Sequence, residues 1–167
     1  LWLGTSGGGL SKYYGQQFLH QDQRSGLPAR AVYALAEDLD CRLWIGAGAG
    51  GLARHDGRDW HLLADSLAFP RVKVKALLRD RRGQLWAGTE GQGLWTCQDA
   101  QWYALDSRHG LSGNWVRDLC EDAEGAIWVA TAGGGLTRLT RGRDTLDADS
   151  VPRPRADFPH ANFPHAG

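Results

Sequence analysis

The chain has 167 residues, with 19 Lys and Arg against 19 Asp and Glu, so its formal net charge is zero. Balanced charge leaves no electrostatic footprint for nucleic acid or an anionic membrane surface. No apolar run reaches the roughly 18 residues of a membrane span, so the segment has no predicted membrane contact.

In chain order, the first segment opens on LWLG with Trp2, runs through GTSGGGL to Leu10, and reaches Phe18. The same series then returns. Trp2, Trp44, Trp86 and Trp128 recur every 42 residues, in the phrases LWLG, LWIG, LWAG and IWVA. Leu10, Leu52, Leu94 and Leu136 keep that period, as do Phe18, Trp60 and Trp102, Val32, Val74 and Val116, Leu35, Leu77 and Leu119, and Asp38, Asp80 and Asp122. A fixed period of this size is one structural unit written repeatedly. The framework residues are aromatic, β-branched or aliphatic in short runs between turn residues, which is the signature of strands.

Each unit is predicted to hold four strands. The first covers Ala31 to Glu37, with equivalents at Lys73 to Arg79 and Trp115 to Glu121. The second covers Leu43 to Ala47, the third Gly51 to His55 and the fourth Asp59 to Leu63. The layout is strands two to four of a first unit over 1–27, full units over 28–70 and 71–112, and a fourth over 113–140. Strand two is apolar on both faces, as in Leu43-Trp44-Ile45, and a strand buried on two sides needs a packed layer on each. Four-stranded antiparallel sheets stacked around an axis meet that need. The predicted fold class is therefore all-β, an incomplete β-propeller of about three and a half blades; a solenoid repeat is usually shorter.

Two sets of turns are legible. Gly9, Gly51, Gly93 and Gly135 suit positive φ in the hairpin between strands two and three. Asp38, Asp80 and Asp122 each stand six residues before a Trp, in D-x-x-G-x-L-W form, and are predicted to cap a turn through backbone N–H groups. Cys41 replaces the glycine in the Asp38 copy, so a strained or differently shaped turn is expected there.

The segment 141–167 breaks the pattern. Asp144 stands where an aromatic is expected, prolines follow at 152, 154, 159 and 164, and FPHAN is echoed by FPHAG. A disordered, Pro-rich tail is predicted. His160 and His165 are weak metal-ligand candidates, and no metal or cofactor is expected. Cys41, Cys97 and Cys120 occupy different repeat positions without a C-x-x-C pair, and are expected to be buried thiols. The chain begins at Leu1 inside a predicted strand and contains no Met, so it reads as part of something longer. Closed propellers have about four to eight blades. The expected partners are the remaining blades or a second subunit, covering apolar faces of the outer sheets.

The phrase GLPARAVYALAEDLDCRLWIGAGAGGL closely resembles the two-component regulator propeller repeat, through Gly26, Leu27, Pro28, Val32, Leu35, Asp38, Leu43, Trp44, Gly46, Gly51 and Leu52. Gly110, Leu111, Val116, Leu119, Asp122, Gly125, Ile127, Trp128 and Leu136 repeat the match. The likeness runs from Leu1 to about Leu139 and departs at Cys41, Ala47, Ala68, Phe69 and Ala130. The resemblance implies a periplasmic or otherwise extracytoplasmic sensor region of a bacterial membrane receptor, with a histidine kinase or diguanylate cyclase as output.

In that setting a small-molecule or oligosaccharide ligand is expected at one end of the sheets, near the axis. The candidates are residues that vary between copies there: Arg30, Arg71, Lys73, Glu90, Gln92, Asn114 and Trp115. Trp115, outside the Trp register, suits stacking on a ring. No catalytic residue is predicted. His20, His55, His61 and His109 lie at unrelated repeat positions, and no G-x-S-x-G, H-E-x-x-H or phosphate loop is present. A fragment of a lyase-like propeller enzyme and a protein-binding or self-assembling scaffold are the alternatives.

Overall fold

The computed structural model describes residues 1–48, 50–65, 69–98, 101–141, 145–151 and 161–162. The first sheet holds β1 (Trp2–Gly4), β2 (Leu10–Tyr14) and β3 (Gln17–Gln21). The second holds β4 (Val32–Glu37), β5 (Leu43–Ala47), β6 (Leu52–His55) and β7 (Trp60–Leu62). The third holds β8 (Val74–Arg79), β9 (Leu85–Thr89), β10 (Leu94–Gln98) and β11 (Gln101–Leu105). The fourth runs through β12 (Val116–Glu121), β13 (Ile127–Thr131), β14 (Gly135–Arg141), β15 (Thr145–Val151) and β16 (Ala161–Asn162). Every sheet is an antiparallel meander, and the first strands β4, β8 and β12 lie side by side.

The period sets the packing. Trp44 and Leu52 project from the second sheet onto Val74, Leu85, Ala87 and Trp102 of the third. Trp86 and Leu94 project in the same way onto Val116, Ile127, Val129 and Leu139 of the fourth. Leu10, with Trp2 partly buried, meets Val32, Leu43 and Ile45. Each middle sheet thus sends its Trp and Leu forward and its Leu43- and Ile45-type residues back, and β5 and β9 are buried along their whole length. Gly46 and Gly88 are required by this stacking. A Cβ on Gly46 would come within 2.8 Å of Val74, and one on Gly88 within 2.5 Å of Val116.

Two expectations are corrected. The segment from 141 onward is not uniformly without structure. Thr145–Val151 forms β15, in register with β14 from Arg141↔Leu146 to Leu136↔Val151. The prolines do not prevent this because the first, Pro152, follows the end of the strand. The cysteines are not a buried set: Cys41 and Cys120 are exposed and Cys97 is half-buried. Cys41 occupies an open turn, and Cys120 takes a first-strand position where Ala36 and Leu78 are covered by the next sheet. Ala68, Asp144, His160 and His165 lie outside the described residues.

Candidate ligand-binding face

The two ends of each sheet have different chemistry. At the end where strand one turns into strand two, an aligned Asp organises the turn. Asp80 Oδ1 accepts from the backbone N–H groups of Arg82 (3.0 Å) and Gln84 (2.9 Å), and its Oδ2 accepts from Trp86 Nε1 (3.0 Å). Asp38 does the same for Asp40, Arg42 and the indole of Trp44, and Asp122 for Glu124, Ala126 and the indole of Trp128. Arg138 adds two bonds to Asp122 Oδ2. Burial disfavours the Asp122 anion, but the indole, the Ala126 N–H and Arg138 outweigh it and hold the carboxyl at about 2. These carboxylates are fully committed to structure.

The opposite end holds the entrance to strand one and the glycine-rich hairpin between strands two and three. Gly9, Gly51, Gly93 and Gly135 all have φ between 69° and 87°. The hairpin also ties neighbouring sheets together. Gly9 N–H donates to the Arg30 carbonyl (2.9 Å), and Gly93 N–H donates to the Asn114 carbonyl (2.9 Å). Arg30 and Asn114 therefore hold sheets together through their backbones. Their side chains act locally, Arg30 donating to Gln23 and Asn114 accepting from the Ser107 N–H. Arg71 is exposed, and the Gln92 carbonyl accepts from Trp95 Nε1.

Lys73, Glu90 and Trp115 come together. Glu90 N–H donates to the Lys73 carbonyl (2.9 Å), and the same frame joins Gly48 to Ala31 and Ala132 to Trp115. Only the third sheet carries charges on this frame, so Lys73 Nζ reaches Glu90 Oε2 at 3.0 Å. That hydrogen bond pushes Glu90 below the usual carboxylate range and raises Lys73. A backbone bridge pairs Glu90 with Trp115 of the next sheet. The Trp115 indole, 50% exposed, lies beside Gly91, where an added Cβ would stand 3.7 Å from it.

Sequence reasoning missed Tyr33, Lys75 and Arg117. They share one repeat position on β4, β8 and β12, next to buried Val32, Val74 and Val116. Lys75 Nζ sits 3.6 Å from the centre of the Tyr33 ring, and Arg117 stands 3.9 Å from Glu90 Oε1. The signal was present: one position in a conserved frame changes from Tyr to Lys to Arg across the copies. Among the described residues, no group of three or more His, Cys, Asp or Glu could hold a metal, and no helix is long and apolar enough to cross a membrane.

Successive antiparallel meanders of three to five strands, stacked through their Trp faces with first strands adjacent, define a β-propeller segment. Within that class, the model of the two component regulator propeller family matches residues 68–91 and 110–133, one period apart. Among solved structures, the extracellular domain assigned to hybrid two component system BT3049 of B. thetaiotaomicron superposes with a TM-score of 0.68 at 23% identity, over 82% of this chain and 19% of that one. The corresponding domain of BT4673 gives 0.69 at 18% identity, over 90% and 23%. A catalytically inactive virginiamycin B lyase from Staphylococcus aureus, solved with quinupristin, gives 0.58 at 16% identity, over 87% and 49%. At these identities the likeness establishes the fold, and the chain spans about a fifth of the two component relatives. No curated protein sequence matches it.

Proposed function

We propose that the chain is a non-catalytic, ligand-sensing propeller segment of a bacterial signal-transduction receptor, of the histidine kinase or diguanylate cyclase type, placed outside the cytoplasm. The observation that carries this reading is the contrast between the two ends of the sheets. At one end the aligned Asp residues are spent on turns and indoles. At the other, a constant backbone frame presents side chains that differ in every copy and leaves Trp115 half-exposed. Recognition residues on loops held by a rigid scaffold are a common arrangement for binding proteins. The two component regulator repeats and the extracellular domains among the structural relatives support the setting. The expected ligand is a small molecule or an oligosaccharide.

Acid–base catalysis needs ionisable groups converging on one substrate. Among the described residues, the histidines do not converge. His20 pairs with Ser11, His61 with Asp56 and His109 with Asp106, while His55 accepts from the Gly57 N–H. Each serves its own hairpin or turn. The likeness to virginiamycin B lyase rests on fold alone.

The outer faces support the proposed partners. Leu3 is 40% exposed where Ile45, Ala87 and Val129 are fully buried, and Phe18 is 53% exposed where Trp102 is buried. In the inner copies these positions pack against the Trp and Leu of the preceding sheet. Further sheets of the same repeat, or a second subunit, would cover the first sheet in the same way.

The test is a thermal-shift screen of the purified chain against small sugars and metabolites, followed by product analysis of each hit. A ligand at a hundredfold excess over its Kd adds about 2.7 kcal/mol of stability, which is readily seen. A hit that Trp115→Ala abolishes, and that is recovered chemically unchanged, is the expected result. Conversion of the hit to product would establish an enzyme instead.

A further inference from the structure

We propose that Lys73, Lys75 and Arg117, beside Trp115, bind a ring compound carrying a carboxylate or sulfate group. This rests on the reading that this end of the sheets takes a ligand, and it specifies the ligand's charge and shape.

Three cations surround one internal carboxylate. Glu90 is paired with Lys73 at 3.0 Å and with Arg117 at 3.9 Å, and Lys75 adds its field from the adjoining strand position. The Glu90 side chain is only 17% exposed, whereas those of Lys73 and Arg117 are about half exposed. The acid is thus the inner part of the cluster and the cations form its outer surface. An ammonium has three donors and a guanidinium five. Lys73 gives one donor to Glu90, and Arg117 is too far from it for a hydrogen bond, so Glu90 does not use up the donors of either half-exposed side chain. Lys75 is held over the Tyr33 ring at 3.6 Å, which fixes its position while leaving its charge in place. Asp118, the neighbouring acid on β12, accepts from the Leu119 N–H at 2.9 Å. Even counting Asp118, bases outnumber acids here, in a chain whose overall charge is zero.

The placement follows from the repeat. Because β4, β8 and β12 lie side by side, Tyr33, Lys75 and Arg117 form a row across three sheets. The Glu90–Trp115 bridge brings the half-exposed indole to the edge of that row. An arginine fork matches the two oxygens of a carboxylate or sulfate, and an exposed indole offers a flat surface to a ring. Together they specify an anionic group and a ring on one molecule.

The experiment is calorimetric titration of the purified chain at low salt with glucuronate, glucose 6-sulfate, benzoate and glucose. Glucuronate or glucose 6-sulfate binding at least about tenfold tighter than glucose supports an acidic sugar, and preferential binding of benzoate supports an aromatic acid; either outcome supports the inference. Arg117→Gln and Lys75→Gln should each weaken the anion by about threefold to tenfold, with Arg117→Lys intermediate. Trp115→Ala should weaken every ring ligand by a similar factor. These side chains are surface residues, and unchanged circular dichroism shows that the variants fold. Equal binding of glucose and glucuronate overturns the charge assignment and leaves the ligand-sensing reading intact. Anion binding untouched by the Arg117 and Lys75 variants, or absent altogether, overturns the site.

Discussion

The indole of Trp86 is fully buried, and its one polar atom donates to Oδ2 of Asp80, a carboxylate that is itself buried. One side chain therefore closes a turn through its first oxygen and satisfies the core Trp through its second. This explains why the Asp and the Trp stay six residues apart in each copy. Asp80→Ala would strand the indole N–H and two backbone donors. A loss of about 1–3 kcal/mol is expected by urea denaturation, with a smaller loss for Asp38→Ala, whose turn is more exposed. Equal, negligible losses at both sites would show that the shared carboxylate is not what holds the turn to the core.

Asp122 makes stability depend on pH in a defined direction. Its folded value, about 2, lies below the ordinary 3.8, so the folded state binds this proton less readily than the unfolded chain does. The contribution is complete above about pH 4 and is lost as pH falls towards 2. Asp122→Asn should therefore flatten the acid limb of a stability–pH curve in that window. A curve that keeps the wild-type slope between those values would remove Asp122 from the acid response.

Cys41 has φ of 58°, where the aligned Gly83 and Gly125 have 86° and 82°. All three donate their N–H back to the turn's Asp carbonyl, so the turn forces the left-handed conformation whatever the residue. A left-handed L-residue costs roughly 1–2 kcal/mol, partly offset by the entropy a glycine loses on folding. Cys41→Gly should raise stability by a few tenths to about 1 kcal/mol and raise Tm in a thermal melt. A lower Tm would mean that the thiol makes a contribution larger than the backbone relief.

Leu3 and Phe18 present an apolar face that the inner sheets keep buried. Concentration-dependent self-association is expected in sedimentation experiments, and Leu3→Ser combined with Phe18→Ser should reduce it. Their exposure predicts little loss of fold stability. A chain that stays monomeric at high concentration in both forms would argue that this face does not seek a second copy.

The fold was legible because its determinants are local and repeated. Leu43 to Ala47 was placed as strand two from its apolar run, and it is β5. The Asp turns were legible from D-x-x-G, since a carboxylate capping its own turn acts over a few residues. The indole's use of the second oxygen was not, although the constant Asp–Trp spacing carried the hint. The positive φ of Gly93 was readable, but the bond from its N–H to Asn114 joins two sheets and depends on their stacking. β15 is not legible in a segment rich in prolines, because the strand owes its place to pairing with β14. At the candidate site, Lys73 and Trp115 open the predicted first strands and were legible as candidates, whereas Lys75 and Arg117 lie inside the framework strands β8 and β12.

Each interface joins the Trp and Leu of one sheet to the Leu- and Ile-type face of the next, by the same chemistry at the same spacing. The units are consequently interchangeable at their joins. An in-frame duplication or excision of one period would leave both new neighbours chemically matched, so the number of blades can change in a lineage through a single recombination event. Tyr33, Lys75 and Arg117 would be reshuffled by that event, and the charge presented across neighbouring blades would change without redesign of the scaffold.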